Sequence, residues 1–421
     1  MITKPKGTTD LYGIEGKKWE YVNSMIREFC EMYNYDYMRT PVFESSELYH
    51  RSVGETSDIV TKETYDFKDR HDRELTLRPE GTAGIVRSYI ENKMYANNSD
   101  PVKVYYNYPM YRYERPQAGR MRELTQFGLE VLGGDDPMLD AEIISMPYRL
   151  FEELGIDNVT VMINSLGDKE SRDNYRKTLV EYLTPKIDTL CSDCQNRLKT
   201  NPLRILDCKV DKDSEVLKNA PKIMDSLNDE SKARFEKVLE YLRLMDIDYE
   251  IDQNIVRGLD YYDHTVFEYA VDIPELGSGA TLGGGGRYNS LVEELGGPAT
   301  SCVGFAAGLD RVVLAMDYLN LFDKLNKSID CYVMYVNEEE KMKAIEITQN
   351  LRLNGIVTEL NNTNKNLKAQ FKSADKYNAK QLVILNSEDL FKGLVTVKDN
   401  ITKEEQKIDE YELVDYLISN L

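Results

Sequence analysis

What this 421-residue chain lacks narrows its class before any motif is considered. It has only six cysteines, too sparse for a disulfide scaffold, so we expect reduced thiols in a reducing compartment. No apolar run approaches the ~18 residues of a membrane span. The longest, CVGFAAGL at 302–309, stops at Asp310 and Arg311. The N-terminal MITKPKGTTDLYG has no apolar secretory core, which makes the cytoplasm the expected location and leaves no membrane partner. Net positive charge is missing too. At a formal −20, indiscriminate nucleic-acid binding is excluded, because that affinity scales with phosphates neutralised by Lys and Arg. Any RNA contact must be local, and two windows qualify: 112–122, with Arg112, Arg115, Arg120 and Arg122 against Glu114 alone, and 365–380, with five lysines against Asp375.

What is present reads as a multi-domain globular protein, since one hydrophobic core stops growing near ~250–300 residues. Trp19, Val22, Met25, Ile26, Phe29 and Tyr33 recur at helical spacing over 17–33, and YDYMRTPVFE at 35–44 suggests an edge or interface strand. Strands are expected at 74–78, 102–108, 124–132 and 264–271, joined by loops, which favours an antiparallel sheet. Helices are expected at 139–154, kinked or broken by Pro147, and at 302–319. The class is α+β. We expect a core of 1–166 and 250–325, a helical insertion at 167–249, and a small α/β domain at 327–421 with partly parallel strands.

Arginine recurs in three segments of similar make-up, namely YRYERPQAGRMRELTQFGLEV at 111–131, RGLDYY at 257–262 and GFAAGLDRVVLAM at 304–316. Polyphosphate chemistry explains them, because guanidinium groups stay ionised and fork onto phosphate oxygens. The glycines of TLGGGGRYNSL at 281–291 and TLRPEGTAG at 76–84 would let backbone approach a ligand, although a plain flexible turn is the ordinary reading of GGGG. Neither a Walker signature nor a dinucleotide fingerprint is present. Cys191, Cys194 and Cys208 supply only part of a four-ligand zinc set, which Asp193 or Asp207 could complete. We expect buried thiols and no metal.

PKGTTDL, TLRPEGTAG, the 111–131 segment, RGLDYY, GGGGRY and GFAAGLDR occur together and in order, and the whole chain resembles a histidyl-tRNA synthetase of the class II fold. The resemblance implies an antiparallel sheet flanked by helices, a C-terminal anticodon-binding domain, and a homodimer built on the 17–33 helix and the strand around Pro41. It implies ATP with Mg2+, L-histidine and tRNA(His) as ligands, and formation of histidyl-adenylate before transfer to tRNA. Arg112 and Arg257 would be catalytic, meeting the α-phosphate and the substrate carboxylate. Arg120, Arg311 and Leu124 would complete the ATP site. Histidine would be held by Glu80, Thr82, Gln126, Glu130, Arg257, Tyr262 and Tyr288, with Glu130 and Tyr262 on the two ring nitrogens.

On the same pattern Arg115, Gln117 and Arg122 would meet the tRNA acceptor end, and Lys365, Lys368, Lys372 and Lys376 would form a basic stripe toward the anticodon stem. Two departures stand out. Leu124 replaces the phenylalanine that usually stacks on adenine, and Asn289-Ser290 replaces the usual Asp-Gly. His50, His71 and His264 are expected to pack or face solvent. The alternative is a histidine-sensing regulatory paralogue of a phosphoribosyltransferase, but such paralogues generally lack the C-terminal domain and degrade RGLDYY.

Overall fold

The computed structural model describes residues 1–421 apart from 54–58, 97–99, 207, 209, 256–260, 278–279, 324, 326–327 and 363–364. Arg257 and Asp207 therefore lie outside the described residues. The chain divides into two compact units, Met1–Phe322 and Asp323–Leu421.

The first unit is built on an eight-stranded sheet. Its order is Asp36–Tyr37, Val102–Tyr111, Glu123–Leu132, Cys302–Gly308, Ala280–Arg287, Asp263–Val271, Val159–Ser165 and Tyr249–Ile251. Every central pairing is antiparallel, and only the two edge pairings are parallel. Side chains alternate between faces with period two, and the register sets which residues share a face. Tyr106, Gly128, Ala306 and Gly284 fall in one row across four strands, with Glu130 and Gly304 paired in the next. The other face carries Phe127, Phe305, Phe267 and Tyr269, whose rings meet edge-on or stacked at 5.4–6.5 Å and pack toward Phe151 of helix Pro137–Glu153. One face is an aromatic core and the other is left shallow.

Several sequence expectations are corrected here. Residues 302–319 are not one helix: Cys302–Gly308 is a strand that runs into helix Leu309–Tyr318. GGGG is no turn, for it lies within strand Ala280–Arg287, where a Cβ on Gly285 would come within 2.0 Å of the Gly304 carbonyl oxygen. Pro147 neither ends nor divides helix Pro137–Glu153. Its missing N–H weakens the preceding turn, and the Tyr269 hydroxyl donates to the Ile144 carbonyl in that turn at 2.6 Å. On helix Ile14–Met32, Val22, Ile26 and Phe29 are buried within the unit, while Trp19, Met25 and the cap residue Tyr33, on the same face, are partly buried.

Between the Val159–Ser165 and Tyr249–Ile251 strands the chain is helical. Helices Lys169–Leu183 and Asp229–Leu244 begin side by side, capped by Asp168 and Asn228, and the two caps bond each other at 2.8 Å. The second unit has a five-stranded sheet, in the order Thr358–Leu360, Cys331–Met334, Gln381–Ile384, Leu394–Asp399 and Glu405–Asp409. Its first two pairings are parallel and the others antiparallel, as the mixed pattern after residue 327 suggested. All six cysteines are unbridged. No helix among the described residues is long and apolar enough to cross a membrane.

The arginine of GGGGR fastens the sheet to its covering helix. Arg287 and Asp140 are both 0% exposed, with Nη2 to Oδ2 at 2.5 Å, and Arg287 also donates to the Gly134 carbonyl. Burial pushes the Asp140 carboxyl up, but Arg287 and Arg234 outweigh it and hold it below the usual range. Removing one partner of such a pair strands a buried charge, at a cost of about 3–5 kcal/mol. Asp140→Ala should therefore lower the thermal midpoint sharply, while Lys392→Ala, in an exposed pair, should not. Equal midpoints for the two variants would refute a structural role for Arg287.

Candidate active site

The shallow face carries a two-lobed cavity. Its inner lobe, about 210 Å³, is lined by Glu80, Thr82, Tyr106, Arg112, Gln126, Glu130, Tyr261, Tyr262, Tyr288 and Gly304. Its outer lobe, about 230 Å³, is lined by Glu63, Arg112, Glu114, Arg120, Leu124, Gln126, Gly284 and Arg311. Arg112, Gln126 and Gly284 belong to both. Each lobe alone is smaller than the ~300–1,000 Å³ of most small-molecule sites, and joined they fall within that range. A larger groove of about 1,000 Å³, bordered by Phe43 and Phe67, opens elsewhere on the first unit.

At the end of the inner lobe Glu130 is 1% exposed. It accepts hydrogen bonds from the Thr82 hydroxyl at 2.7 Å and the Tyr288 hydroxyl at 2.5 Å. Space for the carboxyl is made by its strand neighbour, because a Cβ on Gly304 would lie 1.9 Å from Glu130 Oε2. Gly128 does the same for the Tyr106 ring, which a Cβ there would meet at 2.1 Å. Burial pushes the Glu130 carboxyl up, against the two hydroxyl donors, to about 8. An acid whose proton is held more tightly in the folded state favours folding most at low pH, and loses that contribution as pH rises through about 8.

Thr82 is placed by Glu80. The Glu80 carboxylate accepts from the Thr82 and Ala83 amides at 2.7 and 2.9 Å, so it caps helix Thr82–Glu91 from inside the cavity. Gln126 brings an orphan: its Oε1 is buried and has no hydrogen-bond partner among the described residues. A buried acceptor without a donor costs ~1–3 kcal/mol, which a bound N–H would recover. The aromatic wall is continuous, with Tyr261 4.7 Å from Tyr262 and 5.6 Å from Tyr288 between ring centres. Arg172 of the inserted helix donates to the Tyr262 carbonyl at 2.8 Å, tying the insertion to this wall.

The outer lobe is cationic. Arg112 is braced by the Pro79 carbonyl at 2.8 Å. Arg311 bonds the Thr281 carbonyl through Nη1, while its Nε is buried without a partner among the described residues. Burial, with Arg120 nearby, lowers the Arg311 pKa against the opposing pull of Glu114 and Glu268. Arg120 is 3.8 Å from Glu114 and half-buried at the tip of the loop between the Val102–Tyr111 and Glu123–Leu132 strands. Leu124 offers the aliphatic surface expected of it.

Not every predicted residue reaches a ligand surface. Arg115 and Gln117 are exposed on the loop, but Arg122 is folded back, its guanidinium 4.0 Å from the Tyr113 ring centre and its Nε on the Glu114 carbonyl. In the second unit Lys368, Lys372 and Lys376 are exposed on helix Leu367–Lys376, four residues apart and so on one face. Lys365 precedes that helix and bonds Ser373 at 2.8 Å, which removes it from the helical stripe. Asn289 has a structural task, its side-chain oxygen accepting from the Cys302 amide at 3.1 Å and its own amide donating to Asp263. His264 is partly buried, and burial lowers it to about 4, so it is neutral at neutral pH.

Sequence reasoning missed Tyr106, Gly128 and Gly304, which shape the cavity, and Glu63 and Glu114, the carboxylates of the outer lobe. Only the strand register reveals that Gly304 faces Glu130.

Known proteins share this geometry and sequence. Residues 7–312 match the family model described as histidyl-tRNA synthetase, and residues 330–420 match an anticodon binding domain. A histidine--tRNA ligase of Geobacillus sp. (strain WCH70) is 48% identical over 417 residues, covering 99% of each chain. One from Bacillus subtilis (strain 168) is 48% identical, covering 97% of this chain and 96% of its own. The apo structure of Staphylococcus aureus histidyl-tRNA synthetase superposes with a TM-score of 0.86 at 39% identity, covering 99% of this chain and 100% of that one. The chain belongs to the histidyl-tRNA synthetase family.

Proposed function

We propose that the chain activates L-histidine with ATP and transfers it to the 3′-terminal ribose of tRNA(His). The observation that carries this reading is the buried Glu130 carboxyl at the end of a tyrosine-walled cavity that opens into an arginine-lined lobe. A neutral imidazole presents one N–H donor and one acceptor on opposite edges. Glu130 meets one nitrogen and Tyr262 the other, with Tyr288 and Thr82 fixing the carboxyl. The substrate ammonium takes Gln126 Oε1, Glu80 and the Thr82 oxygen.

The substrate carboxylate then lies toward Arg112, where both lobes meet. Its oxygen attacks the α-phosphorus of ATP; a new C–O–P bond forms as the bond to the bridging oxygen breaks, and pyrophosphate leaves with that electron pair. The nucleophile is already ionised, so no base is required. Two anions must meet, and Arg112, with Arg257 by family resemblance, supplies the positive charge, while Arg120 and Arg311 hold the outer phosphates and the adenine against Leu124. Glu63 and Glu114 are oxygen donors of the kind Mg2+ takes, and the ion would neutralise the polyphosphate. Ribose attack on the adenylate carbonyl carbon completes transfer, with AMP leaving. Arg115 and Gln117 face the acceptor end from the exposed loop.

A second copy of the chain is the proposed partner of the exposed Tyr37, Val42, Phe43 and Phe67, an apolar patch around the strand after Pro41. We place the reaction in the cytoplasm, with its tRNA. The histidine-sensing regulatory alternative is less well supported, because near-full-length relatives carry the ligase name and the C-terminal unit is present.

Exchange of labelled pyrophosphate into ATP tests the first step. Histidine alone among the amino acids should support it, and Arg112→Ala should lower its kcat/KM by about 10²–10³, the effect of removing one donor aimed at developing charge. No exchange with histidine would sink the reading. The lysine face is tested separately: replacing Lys368, Lys372 and Lys376 together by Glu should raise the KM for tRNA and flatten its salt dependence while leaving exchange unchanged. An unaltered tRNA KM would remove these lysines from the interface.

A further inference from the structure

Away from the histidine and ATP lobes, the inserted module gathers three sulfurs and a carboxylate. Cys191, Cys194, Cys208 and Asp211 place one donor atom each within 4.8 Å of one another; Cys194 and Cys208 are buried, and Cys191 and Asp211 partly so. We propose that these four residues bind one structural zinc ion. Tetrahedral zinc has Zn–S bonds of about 2.3 Å and Zn–O of about 2.0 Å, which sets ligand separations of about 3.8 Å between sulfurs and about 3.5 Å between sulfur and oxygen. The Cys191 and Cys208 sulfurs are 3.6 Å apart, and Cys208 Sγ is 3.5 Å from Asp211 Oδ2. Those two separations match a tetrahedral zinc shell, and all four donor atoms lie within 4.8 Å of one another.

Backbone donors lie beside the cluster. Cys191 is the N-cap of helix Ser192–Thr200 and Cys194 lies in its first turn, where the unpaired N–H groups favour negative charge. The Cys194 amide donates to the Cys191 sulfur, and the Cys191 amide donates to Asp211 Oδ2 at 3.0 Å, so backbone donors orient two ligands. A disulfide between Cys191 and Cys208 would have to close to about 2.05 Å and would leave Cys194 and Asp211 gathered for no purpose.

The cluster sits among short elements of the module. Between Thr184 and Ser226 the module consists of short pieces, Thr184–Thr189, Ser192–Thr200, Pro202–Ile205, Glu215–Lys218 and Ile223–Ser226, around a core of Leu190, Ile205, Leu217 and Ile223. Neither acid considered from the sequence completes the set: Asp193 is exposed and outside the cluster, and Asp207 lies outside the described residues. Asp211 gives the spacing C-x2-C-x13-C-x2-D, a four-ligand zinc pattern with a carboxylate in the last place.

Metal analysis of the full chain, purified with reductant and without chelator, tests this directly. About one zinc per chain is expected in the wild type and in Asp193→Ala, falling severalfold in Cys208→Ser. Cobalt(II) exchanged into the wild type should give a thiolate charge-transfer band and the strong visible absorption of a tetrahedral site. That readout does not depend on whether the cysteine variant folds. Wild-type protein with under ~0.1 zinc per chain and no such cobalt spectrum, its cysteines free or oxidised to a disulfide, would overturn the assignment.

Discussion

A carboxyl group buried in the middle of an antiparallel sheet is the constraint on which the cavity depends. Glu130 can sit there only because Gly304 across the strand pair has no side chain, and because Thr82 and Tyr288 present hydroxyls to it. Thr82 is in turn set by the Glu80 cap on its helix, and the Tyr106 ring beside it requires Gly128. The glycines that open this face and the phenylalanines that fill the other are two consequences of one period-two register.

Arginine has two distinct uses in the first unit. Arg287 and Arg78 are buried and satisfied, the one by Asp140 and the other by the Thr40 and Pro109 carbonyls, and they fasten elements together. Arg112, Arg120 and Arg311 border open space, and Arg311 keeps an unpaired Nε there among the described residues. In a chain of net charge −20, these three guanidiniums around one cavity stand out as a local concentration of positive charge.

Alternation and residue type made the 102–111 and 123–132 strands and the 14–32 helix legible, because each presents one apolar face to a core. CVGFAAGL was not legible from periodicity: a short run of small apolar residues fits a buried strand or a helix equally well, and here the sheet partners decided it. GGGG read as a turn because glycine's close approach between strands leaves no local signal. Motif order located Glu130, Gln126, Arg112 and Arg311, all of which line the cavity, but it could not foresee that Arg122 would bond the Glu114 carbonyl or Lys365 the Ser373 hydroxyl. The Cys and Asp spacing was visible throughout, yet only their convergence separates a ligand set from four unrelated residues.

Everything proposed for the inner lobe turns on Glu130 reading the imidazole. Glu130→Gln keeps the shape and removes the ionisable carboxyl, so the variant should fold at least as well above pH 8, where burying the charge costs most. Calorimetric titration with L-histidine across pH 6–9 measures the recognition itself. Affinity should weaken by about 100-fold or more in Glu130→Gln, the scale on which a site built to pair polar atoms rejects a mismatched partner. Affinities within about threefold of each other at every pH would contradict that role for Glu130.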